Sequence, residues 1–220
     1  MGECRLCKRR GLFLSVNANG LCKACNSIVV MDVQQRARII DDSMKLVANS
    51  KKMGTRLSRC DLLLEHAEAL MEYENRGIPT LSPAPSELLR EYTSARDQII
   101  LEGIHEEVEK ALTKAEIATT TRTAITEANK ALLKIREGKR ELRDKSQLNQ
   151  LESRVRNFTH RAQLKGYLET ARKAEFKGQK KKAIDQYREA LFFLRNDEID
   201  DSFQKDMIAK IHRKIEQLEA

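Results

Sequence analysis

From about Met31 onward, apolar residues recur every three to four positions with Lys, Arg, Glu and Asp between them. That is the period of an amphipathic helix. Along Leu148, Leu151, Val155, Phe158 the steps are three, four, three, and they are the same along Ile208, Ile211, Ile215, Leu218. The pattern breaks clearly once, at 77–85, where Gly77, Pro79, Pro83 and Pro85 cannot continue a helix. Ser86 reads as the N-cap of the run that follows. The pattern predicts helices over Ser27–Asn75 (broken near Gly54), Ser86–Ile117, Thr121–Asp144, Ser146–Phe176, Lys180–Arg195 and Ser202–Leu218.

The chain also repeats itself. Lys114–Ile135 and Lys173–Leu194, offset by 59 positions, agree at seven of 22 residues, among them the pairs Ala115/Ala174, Ala124/Ala183 and Ala131/Ala190. Small residues at those places let two helices of a hairpin approach closely. The segment Tyr167–Leu194 resembles a tetratricopeptide helix pair, with Ala171, Ala174, Gly178, Ala183, Tyr187 and Ala190 at that family's small or aromatic positions. With the helix from Ser202 onward it is also similar to the three-helix microtubule-interacting-and-transport type of domain. Arg195 stands where the tetratricopeptide motif commonly has Pro. The fold class that follows is mainly α: an antiparallel helical-hairpin repeat, TPR-like, over 31–220, with hairpins at about 108–160 and 167–220.

Residues 1–30 are different. Cys4, Cys7, Cys22 and Cys25 form C-x2-C-x14-C-x2-C, a spacing that turns both sulfurs of each pair toward one point and suits tetrahedral zinc. Between the pairs, Gly11–Val16 suits a short strand, and Asn17–Gly20 supplies turn residues with Asn19 and Gly20 tolerating positive φ. The arrangement resembles a treble-clef zinc finger, with the second pair at a helix start. Lys8 follows the first pair where such knuckles often place Gly. An iron site of rubredoxin type shares the four ligands but has glycines after each pair that are missing here. A thioredoxin-like redox pair needs a βαβ setting. Four thiolates close the coordination shell, so the expected zinc is structural; catalytic zinc keeps an open position. Cys60, alone in a helical stretch, reads as a small buried apolar residue.

Composition narrows the function. Charged residues make up 34% of the chain and aromatics 5%, the balance of long helices. No apolar run is long enough to cross a bilayer, and the first residues lack the apolar core of a signal peptide, so a cytoplasmic location is the expectation. The formal charge of +8 falls to about +6 once a divalent ion and four thiolates are counted. His66, His105, His160 and His212 are scattered without metal-ligand spacing, and no phosphate-binding or nucleophile motif occurs, so no enzymatic role is expected.

Two basic groups could meet an acidic partner. Arg9 and Arg10 lie in the finger; Lys177, Lys180, Lys181 and Lys182 lie at the turn of the last hairpin, in a stretch (161–182) with eight basic and two acidic residues. The helix after the second cysteine pair begins Asn26-Ser-Ile-Val-Val-Met-Asp, without the basic side chains of a groove reader. The leading expectation is therefore a zinc-binding adaptor that engages a protein partner, with oligomerisation open. The alternative is a nucleic-acid-associated regulator using the basic finger and the 161–182 face.

Overall fold

The computed structural model describes residues 2–196 and 201–220, the side chains of 201–203 excepted. It is helical almost throughout. After two short strands, β1 (Gly2–Glu3) and β2 (Arg10–Gly11), come α1 (Lys23–Asn49), α2 (Met53–Asn75), α3 (Pro85–Glu116), α4 (Thr121–Glu141), α5 (Ser146–Phe176), α6 (Lys180–Arg195) and α7 (Asp201–Glu219). The chain divides into two compact units, one up to Gly103 and one over Ile104–Ala220, with the boundary inside α3.

In the first unit α1, α2 and the start of α3 share a core. Ile40 and Val47 of α1 meet Cys60, Leu63, Ala67 and Leu70 of α2 and Leu88, Tyr92 and Ile99 of α3. The four α2 residues are spaced three, four, three, which is one helix face. The ion pairs Arg96–Asp61 (2.6 Å) and Arg56–Glu102 (3.3 Å) link α2 to α3 along the edge of this core. Cys60 is fully buried as expected, and burial pushes its thiol pKa up.

Some boundaries differ from the sequence reading: α1 starts at Lys23 rather than Ser27, and α4 stops at Glu141 rather than Asp144. The break expected near Gly54 is present at Ser50–Lys52, with Gly54 in the first turn of α2 and open space around its α-carbon. Ser86 is not an N-cap. α3 starts one residue earlier, with Pro85 at its first position, where a missing N–H costs nothing. The Glu87 carboxylate accepts from the N–H of Ala84, and Ser86 gives both its N–H and its hydroxyl to Glu74 of α2. Ser86 therefore ties the two helices together.

α2 ends in a Schellman turn. Gly77 takes φ 68°, its N–H bonds to the carbonyl of Glu74, and Ile78 N–H bonds back to Tyr73. The same turn closes α5, with Gly178 at φ 70° and Gln179 N–H on the Ala174 carbonyl.

In the second unit, α4 packs on α5, α5 on α6, and α6 on α7. Ala124, Ala128 and Ala131 of α4, Ala171 and Ala174 of α5, and Ala183 and Ala190 of α6 are all buried, so small side chains occupy the helix contacts. Gly138 of α4 goes further: a Cβ there would fall 2.0 Å from Cδ1 of Ile104. Thr120 caps α4 by accepting from Thr123 N–H at 3.2 Å. The last three helices close on Ala171, Tyr187, Ala190, Leu191, Leu194, Ile211 and Ile215. Tyr187 donates its hydroxyl to Glu175, which also pairs with Lys214.

Candidate metal centre

The N-terminal module is a knuckle followed by a helix start. β1 and β2 pair antiparallel, Gly2 opposite Gly11 and Glu3 opposite Arg10. The chain between them turns sharply at the first cysteine pair: Cys4 N–H bonds to the Arg9 carbonyl and Lys8 N–H to the Cys4 carbonyl. Lys8 holds φ 58°, the left-handed conformation that glycine adopts without penalty. A lysine thus makes a turn of the kind usually given to glycine.

The expected strand over Gly11–Val16 is not formed. Pairing is spent earlier, on residues 2–3 and 10–11, and Gly11–Leu14 closes a turn instead (Leu14 N to Gly11 O, 3.3 Å). Only a single bridge, Val16 to Cys22, remains of the hairpin. Its turn is built by Asn17, whose Oδ1 accepts from the N–H groups of Asn19 (3.0 Å) and Leu21 (2.9 Å). Gly20 takes the positive φ of this turn, 73°, while Asn19 does not.

These two turns bring four sulfurs together. The Sγ atoms of Cys4, Cys7, Cys22 and Cys25 all lie within 4.8 Å of one another, with Cys7 and Cys22 4.0 Å apart. Four sulfurs around one zinc at about 2.3 Å would be about 3.8 Å apart on each tetrahedral edge. None of the four is in a disulfide. Cys4, Cys22 and Cys25 are buried and Cys7 faces outward.

The protein environment treats the four sulfurs unequally. Cys22 is the residue before α1 and Cys25 lies in its first turn. Cys22 N–H points at the Cys4 sulfur, at 3.4 Å. Burial would raise the Cys4 pKa, but N–H donors from Cys22, Cys7 and Leu6 outweigh it and bring it down to about 6. Cys25 is pushed up to about 12, first by burial and then by hydrogen bonds with the sulfurs of Cys22, Cys7 and Cys4. Without a cation, then, Cys4 favours the thiolate while Cys25 holds its proton. A divalent ion would displace the remaining protons and take all four sulfurs as ligands. The donor set fits a metal.

Contacts that no sequence pattern announced hold the cluster to the helices. Arg5, between the knuckle cysteines, lies over Gly20 and donates to the Gly77 carbonyl. In return, Arg76 at the end of α2 donates to the Leu6 carbonyl at 2.8 Å. Ile78 is 2% exposed and packs into the same small core as Cys4, Leu21, Cys22, Cys25 and Val29. The hidden signal was the Schellman turn: the residue after its glycine is commonly apolar and packs inward.

The basic candidates fall into two places. Arg9 and Arg10 are exposed on the knuckle of the first unit, Arg10 pairing with Glu3 at 2.8 Å. In the second unit, Lys177 caps α5 and Lys180, Lys181 and Lys182 open α6, all exposed. Of the histidines, His66 meets Arg36, His160 stacks on Phe193, and His212 meets Arg195. The cysteine quartet is the one group among the described residues that could hold a metal ion. No helix there is long and apolar enough to cross a membrane.

Comparison with protein-family models, with curated proteins and with solved structures returns no match. The functional reading therefore rests on the residues themselves.

Proposed function

We propose that the chain is a non-enzymatic adaptor: Cys4, Cys7, Cys22 and Cys25 hold a structural Zn2+, and the helical hairpins offer their outer faces to a protein partner. The convergence of four sulfurs on one point carries this reading. A shell filled by protein donors leaves the ion no position for a substrate, so its chemistry is that of a crosslink. Support also comes from the buried alanines of α4, α5 and α6, which suit the tetratricopeptide-like reading of the repeat. Hairpins of that kind act through the surfaces they present.

The test has two arms. Elemental analysis of reduced protein should give one zinc per chain, and chelation should melt the first thirty residues while leaving most of the helical circular dichroism. A partner captured by the full chain should then bind, once purified, with little change between about 0.1 and 0.5 M salt. Metal-free folded protein would sink the zinc claim, and substrate turnover would sink the adaptor.

One observation favours the nucleic-acid alternative. Lys177, Lys180, Lys181 and Lys182 form no ion pair among the described residues, and three of them sit at a helix N-terminus, the end that repels cations. An anion would relieve that repulsion. Binding to arbitrary DNA or RNA that falls steeply with salt, and weakens when these lysines become Gln, would favour it.

A further inference from the structure

The metal module has its own core, into which Leu6 and Leu14 pack beside Leu21, Val29 and Ile78. Leu12 and Phe13 are left out of it. They fill the two central positions of the turn that Gly11 and Leu14 close, positions usually given to small or polar residues. Leu12 is 80% exposed and Phe13 101%, as bare as in an isolated residue. Ile28 and Met31, neighbours on one face of α1, add exposed apolar surface to the same module, at 61% and 71%.

Within residues 2–31 the charged side chains are nearly all basic. Lys8, Arg9 and Arg10 precede the turn and Lys23 opens α1, all exposed. Glu3 is the lone acidic residue between positions 2 and 31, and Arg10 already neutralises it. A protruding apolar pair beside unpaired cations is complementary to a surface with anionic groups outside and hydrocarbon beneath.

We propose that this turn is a membrane-docking tip: Leu12 and Phe13 enter the interface of an anionic lipid bilayer while Lys8, Arg9 and Lys23 meet its headgroups. The proposal goes beyond the adaptor reading and does not depend on it.

Other occupants fit less well. A second copy would bring Lys8, Arg9 and Lys23 against the same cations. A pocket on a folded partner would have to immobilise Phe13, which nothing in the module orients, whereas a bilayer accepts any rotamer. Nucleic acid would use the cations but gains little from burying Leu12 and Phe13.

The experiment is co-sedimentation of the full metal-loaded chain with vesicles of phosphatidylcholine alone or with about 30% phosphatidylserine. Binding is expected only to the anionic vesicles, weaker at high salt, and at least tenfold weaker for the Leu12→Ser, Phe13→Ser double variant. Metal content and circular dichroism should match the wild type, because neither side chain contacts the core. An independent readout exists because the chain has no Trp. Phe13→Trp should shift its emission to the blue on anionic vesicles and stay unshifted on neutral ones. Unimpaired vesicle binding by the double variant would overturn the proposal. So would emission from the Phe13→Trp variant that stays unshifted on anionic vesicles, or Phe13-dependent binding to DNA or an acidic polypeptide with none to vesicles.

Discussion

Replacing Ile78 with Ala should loosen the metal, although Ile78 is no ligand and lies beyond α2 from the cysteines. Its side chain is 2% exposed and completes the small core around Leu21, Cys22, Cys25 and Val29. Truncating a buried Ile to Ala costs about 2–5 kcal/mol, part transfer and part cavity. The module is too small to hold its shape by apolar burial alone, so metal binding and folding are one equilibrium there. Most of that cost should therefore appear as weaker binding, by a factor of about 30 at the low end of the range. A chelator-competition titration measures it directly. Ile78→Val, costing about 0.5–1.5 kcal/mol, should fall between the variant and the parent. The reasoning is refuted if Ile78→Ala lowers the thermal midpoint of the helices while chelator competition is unchanged. Ile78 would then serve the helices and not the metal.

Lys8→Gly should tighten the knuckle, because a lysine at φ 58° carries a left-handed strain of about 1–2 kcal/mol that glycine avoids, offset in part by glycine's looser unfolded chain; slower metal release to a chelator is the readout. Ser43 is fully buried in α1 with its hydroxyl unpartnered, so Ser43→Ala should raise stability toward urea by about 1 kcal/mol. In the second unit, hydrogen bonds from Lys139 and Arg156 hold Glu152 below its ordinary pKa, and one from Lys214 does the same for Glu175. A depressed folded pKa means that the unfolded chain binds the proton first. The stability from these pairs is therefore complete above the ordinary carboxylate pKa and drains away as pH falls below about 4.5. Thermal melts between pH 7 and 3.5 should show a smaller acid loss in Glu175→Gln than in the parent.

Helices were legible where local rules acted alone. α5 and α6 begin and end where the periodicity places them, with Gly178 in the turn that ends α5. At Ser86 the hydroxyl misleads, because Pro85, with its fixed φ, sets the start of α3. The break expected near Gly54 formed just before it, because glycine lowers helix propensity but does not forbid a first turn. At the front of the chain the spacing of Cys4, Cys7, Cys22 and Cys25 pointed to the four-sulfur cluster that forms, since a tight turn is all that each pair requires. The strands there were misplaced because the pairing depends on where the Lys8 turn sends the chain. Arg5, Arg76 and Ile78 stayed hidden, since a contact across 72 positions leaves no periodic trace.

Those exchanged arginines carry a practical corollary. Arg5 holds a carbonyl just past α2 and Arg76 holds one inside the knuckle, so neither segment can swing away without surrendering both bonds. Ion occupancy at the front of the chain should thus set how readily the connector between α2 and α3 is cut by a protease. A limited digest with and without chelator would turn that connector into a gauge of whether the ion is in place.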